Sequence, residues 1–93
     1  RQKYAVVSHS DHYLGEKYIR VLRDGFVSMD MAQNILVVKT VSGMAMAVAA
    51  ALDAMKLKEI VGSIAGDDTI MMAVRTVEDT EIVMDKIRNV LES

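Results

Sequence analysis

Residues 59–76 read EIVGSIAGDDTIMMAVRT, two runs of β-type residues broken by a glycine and two adjacent acids. The runs EIVGSIA and TIMMAVRT have the length and the Val, Ile and Thr content of strands, and the break between them leaves room only for a tight connection. The acids raise a separate question. Adjacent carboxylates repel, and apolar flanks make their desolvation costly, so a partner carrying positive charge would relieve both penalties. Consecutive side chains of an extended chain point to opposite sides. Asp67 and Asp68 are therefore expected to serve two different surroundings, one within the subunit and one across an interface.

Working outward, Thr76 stands before VEDTEIVMDKIRNVL, with Glu78 and Asp79 in the first turn, and starts a final helix running through Leu91. Its apolar stripe is Val83, Met84, Ile87, Val90 and Leu91. Upstream lies GMAMAVAAALDAM, residues 43–55, a run of strong helix formers that is apolar almost all round and for which Ser42 is the expected N-cap. A helix with no wet face is covered on more than one side, by its own sheet and by a neighbouring subunit. Before it, FVSMDMA alternates, with Val27, Met29 and Met31 on one face, and ILVVKTV follows the turn-prone Gln33-Asn34. Residues 26–41 thus read as a β-hairpin. Leu14, Tyr18, Ile19 and Leu22 fall at helical spacing within Tyr13–Asp24, and Gly25 supplies a stop.

The order is helix, two strands, helix, two strands, helix, a ββα-ββα arrangement preceded by a short helix. An α+β two-layer sandwich satisfies it: a four-stranded, mainly antiparallel sheet with the helices packed on one face. Residues 13–93 form this domain. KYAVVS at 3–8 alternates like a strand, and HSDH at 9–12 reads as a linker, so residues 1–12 belong to something preceding it. With no initiator methionine, the chain reads as a piece of a longer protein.

Ninety-three residues make one domain with a modest core, yet 52% of them are apolar. The surplus is expected to close a subunit interface. No apolar run approaches the ~18 residues that suggest a membrane span. The absence of cysteine removes disulfides, thiolate zinc sites and cysteine nucleophiles. A net charge of −2 and a pI of about 5.6 argue against this domain being the main grip on nucleic acid.

Other constellations are weaker. A plain turn accounts for GDD if Gly66 takes positive φ and an Asp accepts nearby backbone amides. Polymerases hold Mg²⁺ on similar triplets, but with a further acid, a basic channel and far more chain. His9 and His12 have ligand spacing without a third ligand and fit a solvated linker. Lys17, Arg20 and Arg23 read as a solvated helix face. No grouping of Ser, His and acid, no phosphate loop and no H-E-x-x-H occurs, so no metal or enzymatic site is expected.

GSIAGDDTI, preceded by SGMAMAVAAALD and followed by RTVEDTEIVMDKI, resembles the C-terminal domain of the arginine repressor family, bacterial regulators of arginine metabolism. The resemblance covers nearly everything from Leu14 onward, and KYAVVS resembles the last strand of that family's winged-helix DNA-binding domain. It implies a cytoplasmic protein, not an enzyme and without a membrane partner, whose C-terminal domains form trimers that stack into hexamers. L-arginine binds between the trimers as co-repressor, and operator DNA is met only through the N-terminal domain. By position, Asp67 and Asp68 match the ligand-binding acids, with Asp68 reaching across the trimer interface, and Asp53, Ser63 and Ala65 match other pocket positions. Two departures stand out. Met46 replaces a frequent glutamine and cannot supply its amide donors, and Ser63 stands where threonine is frequent. Met46 and Asp53, seven residues apart, still share a helix face. The alternatives are an ACT-like amino-acid-sensing module of a metabolic enzyme, with a different strand order, and a purely structural oligomerisation domain.

Overall fold

A computed structural model describes residues 15–92. Within them the chain is helical over 15–25 (α1), followed by β1 (Phe26–Ala32), β2 (Ile35–Thr40), α2 (Ala45–Ala54), β3 (Ile60–Ala65), β4 (Thr69–Val74) and α3 (Val77–Glu92). The strands form one antiparallel sheet in the order β1-β2-β4-β3, so the two hairpins meet along β2 and β4. The expected two-layer α+β arrangement is present. The strand expected at residues 3–8, the linker with His9 and His12, and Tyr13 and Leu14 lie outside the described residues.

The core follows from period two in the strands and period 3.6 in the helices. Leu36 and Val38 of β2 and Ile70, Met72 and Val74 of β4 are buried beneath Val48, Ala51 and Leu52 of α2 and Val83, Met84 and Ile87 of α3. Leu22 of α1 completes the layer. Thr76 caps α3 as expected, its Oγ1 accepting the Asp79 amide at 2.9 Å. One turn later Thr80 is fully buried, and its hydroxyl donates to the Thr76 carbonyl at 2.8 Å. The hairpin turn at Gln33, which takes φ 60, is fastened to the far hairpin, because Asn34 and Val74 exchange hydrogen bonds at 2.9 Å.

Local expectations fail at four places, at three of them for a reason the structure shows. β1 carries a bulge between Phe26 and Ser28, so Phe26, Met29 and Met31 turn toward the helices while Val27 does not share their face and is exposed. Ser42 is not the N-cap of α2. Gly43 takes φ +80, which puts the cap at Met44, whose side chain has nothing to cap with. Gly66 does not have positive φ. Gly25 is the last helical residue of α1 and not a stop beyond it. It is small because α2 lies against it: a Cβ there would sit 2.6 Å from Val48 Cγ2 and 3.1 Å from the Met44 methyl.

Val48 is itself buried and β-branched, so it cannot swing aside cheaply. Gly25→Ala is expected to cost about 1–3 kcal/mol, as overpacking does. Urea denaturation of the two proteins measures it, with a lower midpoint and an unchanged slope expected.

A second prediction concerns Glu59, which leads into β3 and is buried. Lys86 of α3 donates to its Oε2 at 2.9 Å, while Oε1 is buried with no hydrogen-bond partner. The hydrogen bond from Lys86, against the opposing effect of burial, holds this carboxyl below its usual value of 4.5. A depressed folded-state pKa contributes stability above the unfolded pKa and loses it as pH falls through the folded value. Lys86→Met is therefore expected to lower the melting temperature at pH 7, with the difference from the parent narrowing as pH falls through the folded-state value. Melting curves between pH 3 and 7, a range taken around the usual carboxylate values, should separate the two proteins.

Candidate functional site

The acidic turn is built into the start of α2. The Asp67 carbonyl accepts the Ala45 amide at 3.1 Å, and Asp67 Oδ2 accepts the Gly43 amide at 3.3 Å. Amides around a helix N-terminus lack partners within the helix and favour negative charge. Asp67 thus ties the segment that leads into α2 to the acidic turn, through Gly43 and Ala45. Asp68 faces elsewhere. Its carbonyl accepts the Thr40 amide at 2.8 Å, and its Oδ1 accepts the Thr69 hydroxyl at 3.0 Å. The Thr69 oxygen in turn accepts Lys39 Nζ at 3.0 Å, and Lys39 and Thr69 are paired across β2 and β4. Both aspartates are exposed. The two acids do serve different surroundings, one a helix terminus and the other a lysine-bearing hydroxyl.

The remaining expected residues lie on β3 and α2. Ser63 pairs with Met72 and Ala65 with Ile70, and since both partners are buried, these two β3 positions lie on the helix side of an edge strand. Across from them, α2 buries Ala45, Val48, Ala51 and Leu52 and leaves Met46, Ala50 and Asp53 exposed at i, i+4, i+7. Met46 is 73% exposed. Ser63 also borders a shallow trough of the single chain, beside Ile64, Thr69 and Met71. Among the described residues no three His, Cys, Asp or Glu side chains gather as a metal site requires.

The sheet face away from the helices is the second feature. Register aligns Val37, Met71 and Ile64 in one row across β2, β4 and β3, and Ile35, Ala73 and Gly62 in the next. Ile64 is 79% and Met71 53% exposed. On β1 the rows end in Asp30 and Ala32, and the third row carries Ser28, Lys39 and Thr69. Sequence reading placed the unsatisfied apolar surface on α2 alone. The alternation of β2 and β4 held the signal for this face, but its extent depends on a strand order that adjacent residues do not specify. Lys39 and Gly43 were missed as partners of the acids for the same reason, since each meets the turn only through a contact distant in sequence.

The arginine repressor C-terminal domain model matches residues 22–89. Relatives named arginine repressor include proteins of Lachnoclostridium phytofermentans, 66% identical over 98% of this chain and 60% of the relative, and Lachnospira eligens, 59% identical over 100% and 62%. A third, from Ruminiclostridium cellulolyticum, is 41% identical over 98% of this chain and 61% of its own length. The chain belongs to the arginine repressor C-terminal domain family. It spans about three fifths of the length of these curated relatives.

Proposed function

We propose that this chain is the arginine-sensing and oligomerisation domain of a bacterial transcriptional repressor of arginine metabolism, with L-arginine bound as co-repressor between the trimers of a hexamer. The observation that carries the reading is the division of labour in the acidic turn. Asp67 is committed to the helix terminus, while Asp68 is anchored through one oxygen and is exposed to a cation from outside. A guanidinium suits a carboxylate because its planar fork donates two parallel hydrogen bonds. Ser63 and Ala65 lie on the helix side of the edge strand β3, and Met46 and Asp53 on an exposed stripe of α2, surfaces that a second subunit would join into one site. The open sheet face supports self-association within a trimer. Residues 1–12 are the tail and linker of the winged-helix part that meets operator DNA, and the parent acts in the cytoplasm without enzymatic activity of its own. Among the described residues no helix is long and apolar enough to cross a membrane.

Calorimetry of the chain with L-arginine, L-lysine and L-citrulline tests the sensing role. Arginine is expected to bind at least about tenfold more tightly than citrulline, which has the shape but not the charge. Equal affinity for the two, or no heat with arginine, refutes it.

A further inference from the structure

We propose that Lys39, acting through the Thr69 hydroxyl, is a positioning residue for Asp68 and sets the preference of the acidic turn for a cationic ligand; this rests on the reading of that turn as the ligand site.

The geometry is a relay. Lys39 Nζ donates to Thr69 Oγ1 at 3.0 Å, leaving the single Thr69 proton to be donated onward to Asp68 Oδ1, also at 3.0 Å. An ammonium has donors and no acceptor, so the direction of both bonds is fixed: the threonine oxygen must accept from the lysine and its hydroxyl must point at the acid. The Asp68 main chain is held from the same side, because Thr40, the residue after Lys39, donates its amide to the Asp68 carbonyl at 2.8 Å. One bond from Thr69 therefore holds the exposed side chain, Lys39 orients that hydroxyl, and Thr40 holds the main chain beneath it. Oδ1 is occupied, and Oδ2 receives none of these bonds.

The lysine charge also works against a cationic ligand, so the sign of its effect must be decided. Lys39 is exposed, and its charge reaches Asp68 across two hydrogen bonds, where water and salt screen it. Orientation of the carboxylate is not screened in this way, because it is a matter of hydrogen-bond geometry and of the rotamer freedom already given up before the ligand arrives. Orientation prevails, and Lys39 aids arginine binding.

The test uses the whole chain at about 0.15 M salt, where the Debye length is near 8 Å. Arginine and citrulline affinities are measured by calorimetry for the parent, Lys39→Met, Lys39→Arg, Thr69→Val and Thr69→Ser, with melting temperature and sedimentation recorded for each. Lys39→Met and Thr69→Val are expected to weaken arginine binding about three- to tenfold, the effect of one lost hydrogen bond, and to narrow the ratio of arginine to citrulline affinity. Lys39→Arg and Thr69→Ser, which keep the donor and the hydroxyl, are expected to retain both. Tighter binding by Lys39→Met would make the lysine a competitor and overturn the proposal. So would equal losses in Thr69→Val and Thr69→Ser, which would assign the effect to packing, or parent-like behaviour of all four variants. If the parent binds arginine no better than citrulline, the ligand reading itself fails, an outcome distinct from a parent that discriminates while its variants are unchanged.

Discussion

The double substitution Ile64→Lys and Met71→Lys is expected to leave the domain folded and to reduce it to monomers at micromolar concentration. These side chains are neighbours across β3 and β4 on the face away from the helices, and neither belongs to the core. Burying each apolar side chain against a second subunit would contribute roughly 1.5–3 kcal/mol, and a lysine there adds the desolvation of an unpaired charge. Two such changes in every contact exceed what an interface of ordinary size leaves as net affinity. Sedimentation of the parent should give a trimer or hexamer, and the variant a single slow species with a cooperative melt. Ile82→Lys, on an exposed position of α3, serves as the comparison and is expected to sediment like the parent. A parent that is monomeric, or a double variant that assembles normally, would remove the open face from the interface.

What the sequence disclosed and what it withheld divide along sequence distance. Element type and order came from periodicity and end signals, and these are local: the stripe from Val83 to Leu91, the Thr76 cap and the two runs around GDD are each defined within about a dozen residues. The failures were also at single residues, but their causes are remote. Ser42 is a good cap by type, yet Gly43 at φ +80 moves the cap to Met44, and Asp67, far along the chain, holds the Gly43 and Ala45 amides. Gly25 looked like a stop signal because glycine often is one, whereas its size is required by Val48. Val27 followed a strict alternation that one bulge interrupts. The candidate acids were legible from chemistry alone, since two carboxylates in an apolar setting ask for cations. Which cations the chain itself supplies was not, because Lys39 reaches Thr69 only through the register of β2 against β4.

Asp68→Asn is expected to abolish most arginine binding while leaving the fold and its melting temperature nearly unchanged. The asparagine keeps an oxygen that can still accept the Thr69 hydroxyl, and the main-chain bond from Thr40 does not involve the side chain. The substitution therefore removes charge without removing the anchor, which separates it from Thr69→Val, where the charge stays and the anchor goes. Losing one partner of a charge pair shielded in a complex costs on the order of 2–5 kcal/mol, or about 30-fold to several thousand-fold in affinity at 1.4 kcal/mol per factor of ten. Asp67→Asn should behave differently, because its carboxylate oxygen accepts the Gly43 amide at the start of α2 and a neutral amide is a weaker acceptor at a helix terminus. That variant should lose stability as well as affinity. Assembly without ligand should suffer little from Asp68→Asn, since removing one acid also relieves repulsion between carboxylates brought together at an interface. Calorimetric titration with arginine, thermal melts and sedimentation with and without arginine, run on the parent and both variants, give the three readouts. Unchanged arginine affinity in Asp68→Asn would mean that the outward acid only shapes the turn, and that the cation answering this pair is the chain's own Lys39.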